Sequence, residues 1–224
     1  MKKILLLLLV IAIIGAIFLR VRYGGGEAYP DLTGTAVLDD AVLEEVLNYP
    51  EPIGNVAVSM DGRIFFTVHP EARPPGNKLL EYVDGASVPY PDSQSQQRLF
   101  DTPLGVVVDE FNRLWTIDHG NHGIRSARLL GFDLETGDLI HDQRFDDTIA
   151  PKGSFLQDLQ VSADGGTIVI ADPSFWKKSP ALIVYDVGSA SARRVLENHT
   201  SVSAEDYLIH NHGDPMTYGY GLVA

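Results

Sequence analysis

From Pro50 onward, short apolar runs alternate with Asp, Gly, Asn and Pro, the pattern of β-strands joined by tight turns. Three segments repeat one order: an apolar run, a turn, a second apolar run. The first is Val56-Ala57-Val58-Ser59, Met60-Asp61-Gly62-Arg63, then Ile64 to Val68. The second is Val106-Val107-Val108-Asp109, Glu110-Phe111-Asn112-Arg113, then Leu114 to Asp118. The third is Leu159-Gln160-Val161-Ser162, the turn Ala163 to Gly166, then Ile168 to Asp172. Ile64 and Leu114 are 50 residues apart, Leu114 and Ile168 are 54 apart. A further strand-like run follows each hairpin, at Lys78 to Val83, Ala127 to Leu134 and Ala181 to Val187, with Asp84, Asp133 and Asp186 at or just past its end. A period near 50 residues with about four strands per unit marks propeller blades. The expected fold class is therefore all-β, with about three blades present. Tyr218 to Ala224 reads as the opening strand of a fourth. Three blades and a stub would leave open strand edges, so these residues are expected to be part of a larger ring.

Two stretches precede the blades. Ile4 to Leu19 is an unbroken apolar run between Lys2-Lys3 and Arg20. As a helix, those 16 residues span roughly 24 Å, against ~30 Å for a hydrocarbon core. Residues 1–22 are read as a signal anchor, with a cleaved signal peptide as the alternative; either exports the remainder. The expected address is extracytoplasmic, periplasmic or secreted, with residues 4–19 as a membrane tether. Residues 23–38, containing Gly24-Gly25-Gly26, read as a linker. Residues 39–224 are assigned to the partial propeller. At its start, Asp39 to Tyr49 fits either a short helix capped by Asp39 or Asp40 or a strand.

Charge and cysteine content narrow the functions. The net charge is −13; the first 26 residues hold four bases and no acid, leaving 13 bases against 30 acids in the rest. That surface repels nucleic acid and acidic lipid, so contact with the membrane is expected through the N-terminal helix only. With no cysteine, disulfides, thiolate metal sites and cysteine nucleophiles are excluded. GxSxG and HExxH strings are also lacking.

Candidate chemistry sits where blade strands begin and end. Asn55 and Asp158 lie at or near inner-strand starts; Asp118, His119 and Asp172 lie at the ends of second strands. Carboxylates and amide oxygens converging on an axis would suit a hard cation such as calcium, with Asp158 and Asn55 as the metal candidates. The competing reading is that Asp118 and Asp172 hold turns through backbone hydrogen bonds. His119 with His122, and His210 with His212, lack the ligand number of a zinc site and are read as loop histidines. Trp115, within a strand, is read as core. Phe175-Trp176, before Lys177-Lys178, is the candidate wall of a ligand pocket.

Five strings in order, residues 54–70, 104–120, 129–140, 154–174 and 213–224, resemble the yellow and major royal jelly protein family, in its bacterial, gluconolactonase-like branch. The resemblance implies a six-bladed ring. It also implies that Ala41 to Tyr49 is a strand. Related gluconolactonase-type propellers bind calcium through one Glu, two Asn and an Asp. Here the Glu slot falls near Gly54 and the Asn slots at Leu104 or Gly105 and at Gln157, which departs from that pattern. The resemblance thus implies a small-molecule binder acting at the central channel. The alternatives are a calcium-assisted lactonase or esterase, an activity like the family's suggested dopachrome conversion, and an inert fragment.

Overall fold

The computed structural model describes residues 2–23, 27–28, 34–35, 42–174, 176–204 and 207–208. The expectations for Asp39 and Asp40, the Gly24 to Gly26 linker, Phe175, His210, His212 and the 218–224 strand fall outside these residues. The chain divides into two compact units. One, Met1–Asp40 with Ala204–Leu222, contains helix α1 (Lys2–Tyr23). It also contains a two-residue parallel pair, β1 (Glu27–Ala28) with β14 (Tyr207–Leu208). The helix is 22 residues long, about 33 Å at 1.5 Å per residue. It thus extends past both ends of the apolar run and is long enough and apolar enough to cross a membrane.

The other unit holds three four-stranded antiparallel sheets, each in strict sequence order. Blade 1 is β2 (Ile53–Val58), β3 (Ile64–Val68), β4 (Leu79–Val83) and β5 (Ala86–Pro89). Blade 2 is β6 (Pro103–Val108), β7 (Arg113–Asp118), β8 (Arg128–Asp133) and β9 (Leu139–Arg144). Blade 3 is β10 (Asp158–Val161), β11 (Thr167–Asp172), β12 (Ala181–Asp186) and β13 (Ser191–Val195). Such consecutive meanders, packed face to face, make this an all-β propeller fold. Among the described residues of the strand expected over 41–49, none is in a strand: residues 43–49 are irregular. Leu47 and Tyr49 instead pack on Phe66, Val68 and Leu80 of blade 1, burying apolar surface without joining a sheet.

The core lies between blades, and the period of two along each strand decides which neighbour a side chain meets. On β3, Phe65 joins Val106, Leu114, Leu130 and Phe132 of blade 2, while Phe66 and Val68 face the other way. On β7, Leu114 faces blade 1, and Trp115 and Ile117 face Leu159, Ile168, Ile170 and Ile183 of blade 3. Middle strands buried on both faces explain why the sequence shows continuous apolar runs rather than clean alternation. Gly131 makes room for Trp115: a Cβ there would stand 2.8 Å from the indole Cζ3.

Two arginines fasten blade to blade at equivalent places in the repeat. Arg63 pairs with Glu81 at 2.7 Å and donates from Nη1 to the Leu134 carbonyl of blade 2 at 2.6 Å. Arg113 pairs with Asp109 at 2.7 Å and donates from Nη2 to the Gly165 carbonyl of blade 3 at 2.9 Å.

Candidate functional site: a cleft across three blade connections

The loops joining second to third strands, residues 69–78, 119–127 and 173–180, all emerge at one end of the blades. Together with residues 101–103 and 152–153 they enclose a cleft of about 910 Å³, a size suited to a small organic molecule. Blade 1 contributes Glu71, Arg73 and Lys78; blade 2 contributes Asn121 and His122; the blade 3 side contributes Lys152 and Trp176. Trp176 is 52% exposed and Trp115 only 1%, so only the former is available at a cleft wall.

Asp118 anchors the blade 2 loop. Its carboxylate accepts from the backbone N–H of Asp101 at 2.5 Å, Thr102 at 3.0 Å and Gly120 at 2.9 Å, and from the Thr102 hydroxyl at 3.1 Å. Asp172 does the same for blade 3. It accepts from Phe155 N–H at 2.7 Å and Ser174 N–H at 2.8 Å, and pairs with Arg194 at 2.8 Å. Both carboxylates are buried, and their oxygens are committed to shaping loops rather than presented to a ligand.

Between these anchors runs an unusual turn. Gly120, Asn121, His122 and Gly123 are four successive residues at positive φ, between 52° and 69°. The conformation suits glycine and costs Asn and His on the order of 1–3 kcal/mol each. Hydrogen bonds offset that cost. Asn121 N–H donates to the Thr102 hydroxyl at 2.7 Å, His122 N–H to His119 Nδ1 at 2.9 Å, and Gly123 N–H to the His119 carbonyl at 3.0 Å. The turn places the His122 ring against Phe155, with centroids 4.7 Å apart and stacked, and 6.1 Å from Trp176. His122 Nε2 meets Glu71 Oε1 of blade 1 at 2.7 Å.

His119 is the most perturbed group. It is 1% exposed, and burial, helped by the nearby His122, pushes its pKa down to about 3. It is therefore neutral in ordinary conditions. Because Nδ1 accepts from His122, the proton sits on Nε2, which has no hydrogen-bond partner among the described residues.

Asn55 and Asp158 do meet, outside the residues that line the cleft: Asn55 Nδ2 donates to Asp158 Oδ1 at 3.3 Å, across 103 residues of chain. Inner strands approach closely here. A Cβ on Gly105 would stand 2.9 Å from Asp158 Cα and from the Gln157 carbonyl, and one on Gly54 would stand 2.9 Å from Leu104 Cδ1. At Gly54 and Gly105 the inner strands thus leave no space for a side chain unless their neighbours shift. Among the described residues, no group of three His, Asp or Glu could hold a metal ion. Calcium takes six to eight oxygens, so the Asn55–Asp158 pair does not by itself make a calcium site.

Sequence reasoning singled out Trp176 and His119 but not Glu71, Arg73, Lys78 or Lys152, which come from loops with no repeated pattern. The one local signal was the Gly-Asn-His-Gly string, whose two glycines bracket the left-handed turn.

The sequence profile described as "Major royal jelly protein" matches residues 102–222, more than half of the chain. The chain belongs to this family. Within the match lie blades 2 and 3, the left-handed turn and Trp176. None of the curated proteins matches the chain. Among solved structures, it is similar to a hydrazine synthase of Kuenenia stuttgartiensis, with 12% identity and a TM-score of 0.45 over 64% of this chain and 37% of that one. A nidogen/laminin complex gives 12% identity and a TM-score of 0.47 over 71% and 52%. A periplasmic gluconolactonase of Pseudomonas aeruginosa gives 13% identity and a TM-score of 0.41 over 70% and 46%. The chain spans about half or less of each of these structures.

Proposed function

We propose that this royal jelly family protein is a small-molecule binder held outside the cytoplasm by its N-terminal helix, and that the ligand sits in the cleft between the blade connections. One observation carries the reading: loops from three successive blades, rather than one, converge on a single cleft of ligand size. Buried carboxylates and a hydrogen-bonded left-handed turn hold its blade 2 and blade 3 walls in place. Strained backbone of this kind collects at ligand clamps, where the surrounding hydrogen bonds over-determine it. The occupant would be flat, since the half-exposed Trp176 indole lines the cleft beside the His122 ring. Helix α1 supports export through a membrane, as anchor or as signal peptide.

Tryptophan emission tests the reading, because the chain has two tryptophans and one is buried. Titrating the full chain in detergent with a panel of flat organic molecules should change the emission with at least one of them. The change should vanish in Trp176→Phe. No saturable change with any member, or the same change in that variant, would remove the cleft from consideration.

A further inference from the structure

The cleft carries an excess of positive charge in an acidic protein. Its lining has three cations, Arg73, Lys78 and Lys152, and two carboxylates, Glu71 and Asp101. Each acid has one partner: Glu71 meets His122 Nε2 at 2.7 Å, and Asp101 Oδ1 pairs with Arg125 at 2.8 Å, while Asp101 Oδ2 is buried with no hydrogen-bond partner among the described residues. The cations have no acidic partner among the described residues. Lys78 Nζ donates to the Phe100 carbonyl at 2.9 Å, a neutral partner that leaves its charge uncompensated. Arg73 and Lys152 make no ion pair among the described residues. Yet acids outnumber bases by 30 to 17 in the chain, so carboxylates were plentiful for pairing.

Arg73 is held at this place. It sits at φ 51°, ending the short 3-10 turn Pro70–Ala72, with its N–H bonded to the Pro70 carbonyl. The left-handed residue that closes this turn is usually glycine, so an arginine here accepts strain at a cleft wall. On a separate segment of the lining, Lys152 precedes Gly153, whose N–H donates to the His122 carbonyl at 3.2 Å. This bond ties the lysine's segment to the left-handed turn. Arg73 and Lys152 thus line the same cleft as His122 and Trp176, on separate loops.

We infer that the ligand is an aromatic anion, a small ring-bearing carboxylate whose ring meets Trp176 and His122 while its charge meets Arg73 and Lys152. This rests on the cleft being the ligand site. A cationic amine is disfavoured because three cations line the cleft against two carboxylates and would repel it. A planar guanidinium and an ammonium lining one cleft suit a carboxylate through charge-assisted hydrogen bonds.

Three matched probes test the inference: 4-hydroxyphenylacetate, its neutral amide, and the amine tyramine, measured by calorimetry on the full chain in detergent. The carboxylate should bind at least tenfold more tightly than the amide, with tyramine weakest, and its affinity should fall as salt rises. In the double variant Arg73→Ala, Lys152→Ala, the carboxylate should lose tenfold or more and the amide should be unchanged. Arg144→Ala, a surface cation outside the cleft, should leave all three affinities as they were. If the amide or the amine binds as tightly as the carboxylate, or if the double variant retains the preference, the charge inference is wrong while the cleft stands. If none of the three binds, the inference falls, and the Trp176 titration then decides whether the cleft reading falls with it.

Discussion

The two ends of the blades are built on different terms. At one end, the hairpin turns between first and second strands repeat a single solution. Ser59, Asp109 and Ser162 occupy equivalent places, and each accepts a backbone N–H from the far side of its turn. The donors are Arg63 at 2.9 Å, Arg113 at 3.0 Å and Thr167 at 2.9 Å. At the other end, the second-to-third-strand connections share no sequence. Even so, they hold five of the ten non-glycine residues at positive φ among the described residues: Arg73, Asn121, His122, Ser174 and Lys178. Repetition at the hairpin end supplies the scaffold, and divergence at the connection end supplies chemistry, as expected where binding sits on loops carried by a rigid frame.

Breaking an anchor at the connection end should cost most. Asp172→Ala removes the buried partner of the Arg194 guanidinium, leaving it only Glu197 at 3.6 Å, and is expected to lose about 3 kcal/mol. Ser162→Ala, its hairpin-end counterpart, should lose about 1 kcal/mol. Urea midpoints of the full chain in detergent measure both, and equal losses would erase the contrast.

Acid should act next, through the same end. Burial lowers the pKa of His119 to about 3, and that of His141, at the blade 2–blade 3 contact, is lowered by burial as well. An unfolded histidine titrates near 6.5, so as pH falls below that value the unfolded chain takes up protons first. Stability is therefore complete above about pH 6.5 and declines towards pH 3, by a few kcal/mol on the order expected for such a linkage. His119→Gln should flatten the difference between urea midpoints at pH 7 and pH 5. An unchanged slope would show that the ring is not buried neutral.

Arg113→Ala is the sharpest change available at the hairpin end. It removes the link to Gly165, the pairing with Asp109, and a guanidinium standing 5.1 Å from the centroid of Trp115. A loss of about 2 kcal/mol is expected. Arg113→Lys should recover part of it, since an ammonium cannot reproduce the fork. The smallest effect is expected at the left-handed turn. Asn tolerates this conformation, so Asn121→Gly should shift stability by under about 0.5 kcal/mol, whereas Asn121→Val should cost about 1 kcal/mol. If Val is tolerated as well as Gly, the turn is not held as described.

The hairpin end was legible in the sequence because its determinants are local. An Asp-Gly or Asn turn between β-rich runs announces itself within about ten residues, and the 50-residue recurrence of that string exposed the blades. The irregular course of residues 43–49 was not legible. Leu47 and Tyr49 are apolar enough for a strand, and only the presence of the Phe66–Leu80 face decides that they pack on blade 1 without pairing. The site was legible in part. Asp118 and Asp172 were visible as paired features of the repeat, but whether their oxygens serve backbone or ligand depends on which N–H groups the loops bring to them.

By itself, then, the sequence determined the apolar N-terminal helix, the three repeated blades and the acidic surface, since periodicity, turn chemistry and composition are properties of neighbouring residues or of simple sums. Tertiary structure alone decided the cleft. Glu71, His122 and Trp176 stand 51 and 54 residues apart along the chain, and nothing local links them. Blade packing brings their loops to one end, where burial sets the state of His119 and loop placement leaves Arg73 and Lys152 without acidic partners among the described residues.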